Sequence, residues 1–138
     1  MRGLKGSIGI ISPYKSQVRS LKEKLFKLLR HNYEIHSPQE YLEINTVDAF
    51  QGREKDIIIF SSVRSNKDAG LGFVNDYRRM NVAITRARHC LYIIGNQSTL
   101  NKDRNWRDLI TYSKVKNSFR EIKSKNDEIM HFSKNQAH

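Results

Sequence analysis

A chain of 138 residues fits one domain with a single modest core. Its 25 Lys and Arg against 14 Asp and Glu leave a formal charge of +11, which favours polyanionic partners, nucleic acid first, with a merely solvated surface as the plainer reading. A single cysteine, Cys90, excludes an internal disulfide and points to a reducing compartment. No apolar run approaches the ~18–20 residues of a membrane span and the first residues lack a signal-peptide core, so a soluble intracellular chain is expected, in nucleus or cytoplasm and the nucleus first.

Ile8-Gly-Ile-Ile11 reads as a short strand that breaks at Ser12-Pro13, because proline fixes φ and removes a ladder donor, so Tyr14 emerges at a strand end. From Ser16, an expected N-cap region, Val18, Leu21, Leu25, Leu28 and Leu29 recur at helical spacing. The opposite face carries Lys15, Arg19, Lys22, Lys24, Lys27 and Arg30 against one acid, Glu23. His31 to Glu40 is a polar connection, and Glu43 to Val47 restores a strand.

After the polar stretch Thr46 to Asp56, the β-branched run Ile57 to Ser62 is a third strand, buried, followed by a polar loop, Ser65 to Gly70. Asp76 is placed to cap a helix from Tyr77 to Thr85, and His89 to Gly95 is a last strand in which Cys90 acts as a small buried hydrophobe. Trp106, Leu109, Ile110 and Ser113 predict a closing helix from Asp103 to Lys114. Beyond Val115 the periodicity fades, which divides the chain into a domain over 1–115 and a basic polar tail over 116–138, expected to be partly disordered. Strands alternating with helices predict the α/β class, a mainly parallel sheet with helices on both faces.

Three segments carry chemistry. Thr-Val-Asp-Ala-Phe-Gln-Gly-Arg-Glu-Lys-Asp, from Thr46 to Asp56, could alone be a hydrophilic turn with Gly52 at positive φ. It stands between Ser12-Pro-Tyr14 and Asn81-Val-Ala-Ile-Thr-Arg-Ala-Arg88, and three sparse signals in order outweigh one. Ile8 to Gln17, Thr46 to Asp56 and Gly72 to Arg88 resemble motifs IV, V and VI of the superfamily 1 helicases of the nonsense-decay and senataxin type. Gly95-Asn-Gln-Ser-Thr-Leu100 and Asn105-Trp-Arg-Asp-Leu109 resemble the ending of the senataxin branch.

The resemblance implies a second RecA-like domain of a motor that uses ATP with Mg²⁺ to move 5′ to 3′ along single-stranded RNA or DNA, sharing the nucleotide with a first RecA-like domain. By resemblance, Arg86 is the catalytic arginine for the γ-phosphate, since a guanidinium stays charged and presents paired donors. Gly52 would approach the γ-phosphate region, Glu54 would accept from a ribose hydroxyl, and Gln51 would orient the loop or a water. On the nucleic-acid side stand Pro13, Tyr14, Thr46 and Val47, with Tyr14 readable equally as a stacking face or as ordinary packing. Arg79 and Arg88 read as partners of carbonyls or of acids such as Asp48, which organises its own loop.

What is missing bounds the claim. No Gly-x-x-x-x-Gly-Lys-Ser/Thr occurs, Gly3-Leu-Lys-Gly-Ser7 has the wrong spacing, and Asp127-Glu128 lies in the tail rather than at a strand end. The expectation is therefore a fragment or half of a split motor, inactive toward ATP alone. Five histidines and one cysteine give no zinc spacing, and no metal site is expected. The rival reading is a non-catalytic nucleic-acid-binding or interaction module on the same fold, and a weaker third is a nuclease or replication factor, for which no carboxylate cluster appears.

Overall fold

Residues 6–34, 36–62 and 76–122 are described by the computed structural model. They form β1 (Ile8–Ser12), α1 (Lys15–Tyr33), a 3₁₀ turn (Pro38–Glu40), β2 (Leu42–Thr46), a second 3₁₀ turn (Asp48–Phe50), β3 (Lys55–Ser61), α2 (Tyr77–Ile84), β4 (Ala87–Ile94), α3 (Gln97–Leu100) and α4 (Arg104–Val115). The four strands make one sheet in the order β2-β1-β3-β4, every pair parallel. This is the α/β class that the alternation of strands and helices predicts, consistent with the RecA-like fold that the resemblance implies.

Side chains along a strand alternate between faces, and each face has its own core. Ile10 and Ile44 meet Val18 of α1, joined by Leu21, Leu25, Phe26 and Ile59. On the other face Ile11, Ile58 and Phe60 pack with Val47, Phe50, Met80, Ala83, Leu100 and Trp106. The winding explains the division: the chain moves from β1 to β2 in one direction and from β2 to β3 to β4 in the other, and right-handed crossovers then place α1 opposite α2. Trp106 stacks on Phe60 at 5.6 Å between ring centroids, anchoring α4, while its buried indole N–H finds no acceptor among the described residues.

Several local expectations hold and others shift. Asp76 accepts from the backbone N–H groups of Arg78 and Arg79, and Asp103 from that of Trp106, so both expected caps form. Ser16, by contrast, lies inside α1; the N-cap is Tyr14, which caps with no side-chain bond. Helix α1 runs to Tyr33, into the expected connection, and ends at Glu34 with φ of 53°. Val47 leaves the strand for the 3₁₀ turn, and β3 begins two residues before Ile57, at Lys55. Cys90 is only partly buried, on the same strand face as Tyr92 and Ile94, both exposed, because α1 covers the other half of that face. The expected loop at Ser65 to Gly70 and most of the tail lie outside the described residues.

The crossover from β2 to β3 is short, residues 47–54, and it lies flat against the sheet because β1 has a glycine beneath it. A Cβ on Gly9 would stand 2.7 Å from Ile58 Cδ1 and 2.9 Å from Phe50 Cε1, and Phe50 is fully buried. Gly9→Ala is therefore expected to overpack this contact at a cost of about 1–3 kcal/mol. Urea denaturation followed through the sole tryptophan, Trp106, measures it, and an unchanged midpoint would show that Phe50 does not need the space.

Candidate functional site

A parallel sheet has two unlike edges, and the expected site residues divide between them. At the carboxyl ends of the strands stand Ser12, opposite Thr46 in register, and Ser61. At the amino ends stand the turn before Lys55 and the junction of α2 with β4, joined where the Lys55 N–H donates to the Arg86 carbonyl at 3.0 Å. Residues 46–56 form one polar stretch in the sequence. They span the sheet from one edge to the other.

At the amino edge Gly52 has φ of +76°, which an L side chain adopts only with strain, and a Cβ there would meet nothing within 4 Å. The glycine thus serves the turn, and the space beside it is open. Gln51 and Glu54 are both exposed. Arg86 donates from Nε to the Val82 carbonyl at 2.9 Å and from Nη2 to Thr85 Oγ1 at 3.1 Å, which fixes the plane of its guanidinium. Its Nη1 reaches the carbonyl of Arg53 at 3.5 Å, at the outer limit of a hydrogen bond. Arg86 is thereby set beside the turn containing Gly52 and Glu54, with a weakly held nitrogen facing it.

Acids balance this basic edge. Glu43 on β2 pairs with both Arg53 and Lys55, the latter at 3.0 Å. Burial alone would raise the Glu43 pKa, but the hydrogen bond and charge of Lys55, with Arg53, outweigh it and leave the carboxyl below its ordinary range. Arg88 meets Glu54 at 3.3 Å and Asp56 at 3.9 Å, and Arg79 meets Asp48 at 3.2 Å, so both flanking arginines pair with acids. One oxygen of Glu54 is engaged by Arg88, and a carboxylate retains further acceptor positions for a hydroxyl.

At the carboxyl edge Pro13 and Tyr14 are half-buried, and the Tyr14 ring packs against the core containing Phe50, so packing accounts for part of its surface. Thr46 is half-buried, with Oγ1 accepting from the Ala49 N–H at 3.4 Å. Val47 is only 2% exposed and belongs to the core. A clasp of residues missed as site candidates ties this edge together. Ser12 Oγ accepts from the Tyr14 N–H at 3.2 Å and donates to Gln17 Oε1, while Gln17 Nε2 donates to Ser61 Oγ at 2.8 Å. Gln17 ends the Ile8 to Gln17 motif, but only the fold brings Ser61 to it.

A family profile described as an AAA domain matches residues 2–98. Regulator of nonsense transcripts 1 of Dictyostelium discoideum is 48% identical over 114 residues, 83% of this chain and 8% of the relative. Helicase sen1 of Schizosaccharomyces pombe is 49% identical over 105 residues, 76% of this chain and 6% of the relative. The chain belongs to the superfamily 1 helicases of the senataxin and nonsense-decay type. The homolog of regulator of nonsense transcripts 1 in Drosophila melanogaster is 43% identical over 133 residues, 92% of this chain and 11% of the relative. Across these three the chain spans between 6% and 11% of the helicase's length. Relatives named for both branches stand at 48% and 49% identity, so identity does not separate the senataxin branch from the other. Among the described residues of this helicase domain, no helix is long and apolar enough to cross a membrane.

Asp56 closes the amino edge. The Ser7 N–H and hydroxyl donate to its Oδ2 at 2.7 and 3.0 Å, and Asp56 N–H donates back to Ser7 Oγ at 3.2 Å. These bonds, first that of the Ser7 backbone, then its hydroxyl and the charges of Arg88 and His89, hold the Asp56 pKa below its ordinary 3.8. A depressed carboxylate stabilises the fold fully above its unfolded value and loses that contribution as pH falls through the folded one. Melting temperature should therefore drop as pH falls below about 3.8, and Asp56→Asn should flatten that acid limb while lowering the neutral plateau. An acid limb identical in the variant would show that Asp56 is not part of it.

Proposed function

We infer that this domain is the second RecA-like half of an ATP-dependent helicase that moves 5′ to 3′ along single-stranded RNA or DNA, an intracellular motor, nuclear before cytoplasmic. The observation that carries the reading is the amino edge, where Arg86, just past α2, is held by the Val82 carbonyl of that helix beside the turn of Gly52 and Glu54. ATP with Mg²⁺, when bound, supplies the free energy for stepping. The residues here fit one side of that nucleotide: a guanidinium for developing phosphate charge, an open glycine turn, and a carboxylate for a hydroxyl. They do not fit the other side, since no Gly-x-x-x-x-Gly-Lys-Ser/Thr occurs in the sequence and the acids described at this edge are paired with Arg53, Lys55 and Arg88. Cradle and Mg²⁺ ligands fall to a first RecA-like domain, and Arg86 is supplied across the cleft.

On this reading Arg86 exchanges its long bond to the Arg53 carbonyl for a phosphate oxygen while Nε stays on Val82, so the arm is positioned before the nucleotide arrives. Glu54, turned from phosphate by its own charge, takes the ribose, and Gln51 orients the turn. At the carboxyl edge the half-buried Pro13, Tyr14 and Thr46 meet the strand, and Val47 supports them from the core. Because 47–54 joins the edges directly, a shift at one is transmitted to the other.

Single-turnover ATP hydrolysis with this chain, alone and mixed with a first RecA-like domain from a close relative, tests the assignment. The chain alone should give no turnover, and the mixture should. Arg86→Ala should reduce the mixture's rate by about 10³-fold or more, in the range of arginine fingers, with oligonucleotide binding retained. Turnover by this chain alone, or an undiminished rate in the variant, would sink the assignment.

A further inference from the structure

Helix α1 leaves the carboxyl edge at Tyr14 and extends about 27 Å along the sheet at 1.5 Å per residue. One side is spoken for by Val18, Leu21, Leu25 and Phe26 in the core. The outward side carries the ridge Lys15, Arg19, Glu23, Lys27, His31 at steps of four residues, with Lys24 and Arg30 beside it. The basic residues named are all exposed. Arg19 is offset by Glu23 at 3.2 Å, whereas Lys15, Lys24, Lys27 and Arg30 have no carboxylate partner among the described residues. This contrasts with the amino edge, where Arg53, Lys55 and Arg88 are each paired.

Two further features concentrate the potential. The first turn of α1 has neither an acid nor a side-chain cap, so the positive end of the helix is unscreened, and it sits at Tyr14 beside the expected track. Arg30 and His31 in the last turn suit the negative helix end, but that accounts for neither Lys24 nor Lys27. Unpaired positive charges in a row, starting where a strand is expected to pass, suit a sugar-phosphate backbone, which needs charge at intervals and no base reading.

We propose that the outward face of α1 is a second phosphate-binding surface, which carries single-stranded RNA or DNA from the strand ends at Tyr14 and Thr46 along Lys15, Arg19, Lys24, Lys27 and Arg30. The proposal rests on the single-strand reading of the carboxyl edge and extends the contact well beyond it. Lys24, Lys27 and Arg30 lie about 15–24 Å along the helix from Tyr14, so only a long oligomer reaches them.

The test is equilibrium binding of oligo(U) and oligo(dT), of about 6 and about 15 nucleotides, which bracket sites of about 4–16 nucleotides on single-strand-binding folds. In the full chain, Lys24→Gln with Lys27→Gln and Arg30→Gln should weaken the longer oligomers on the order of tenfold to a hundredfold and reduce the slope of log K against log salt by about 2, at about 0.7 per phosphate contact. The shorter oligomers should be indifferent, and Glu23→Gln should strengthen the longer ones. Equal weakening by Lys102→Gln with Arg107→Gln and Lys116→Gln, an identical charge change elsewhere, would overturn the proposal, as would affinity for polyglutamate matching that for oligonucleotide. Tyr14→Ala with Thr46→Ala separates the two readings. Loss confined to that pair overturns the helix surface and leaves the strand-end track; loss confined to α1 upholds the helix surface and overturns the track. A stronger effect with oligo(U) than with oligo(dT) assigns the surface to RNA, and the reverse to DNA.

Discussion

The close approach of Phe50 to Gly9 is the contact on which the layout depends. Parallel strands must return from the carboxyl edge to the amino edge, and the usual device is a helix standing off the sheet. Between β2 and β3 the return is made by residues 47–54 lying on the sheet, which is possible only where β1 offers no side chain. Val47 and Phe50 are buried by that path, while Thr46 and the turn at Gly52 are left at opposite edges. The segment therefore links the Thr46 hydroxyl, where a strand is proposed to pass, to a glycine turn where a nucleotide is proposed to sit, with a fully buried aromatic ring, Phe50, between them.

Charge in this domain organises surfaces more than it stabilises them. The pairs Arg88–Glu54 and Arg79–Asp48 are half-exposed on both sides, a setting in which an ion pair contributes about 0–1 kcal/mol. Stability comes instead from two apolar layers, one under α1 and one under α2 and α4. What the pairs do is set orientation: Arg88 holds Glu54, Glu43 holds Arg53 and Lys55, and the carbonyls of Val82 and Arg53 hold Arg86. The amino edge is thus crowded with cations whose directions are fixed. The outer face of α1 carries cations that are not, and the two surfaces invite different ligands.

Much of this was legible from residues alone wherever the determinant is local. Asp76 and Asp103 read as caps because an acid before a periodic run can accept from the first free N–H groups, and both do so. The strands read because β-branched runs are short and bounded, and the helices because their apolar residues recur at three and four. Expectations that depended on a neighbour distant in sequence did less well. Ser16 looked like a cap, but Pro13 lets the helix begin at Lys15 with Tyr14 at its head. Val47 looked like a strand end facing ligand, but the crossover turns it inward. Cys90 looked buried, but no described helix lies over its face of β4. The clasp of Ser12, Gln17 and Ser61 gave no signal, because its members become neighbours only when β1 and β3 pair.

Sequence by itself determined the element types, the parallel α/β class and the family, because periodicity, capping and the order of three motifs are properties of the chain read along its length. Tertiary structure alone decided that the motif from Thr46 to Asp56 spans two edges of the sheet rather than one, that Arg86 rests on Val82 beside the turn of Gly52, and that most cations on the outward face of α1 have no carboxylate partner among the described residues. Each of these follows from which strands become neighbours and which face a crossover takes, and those are settled by packing between residues far apart in the chain.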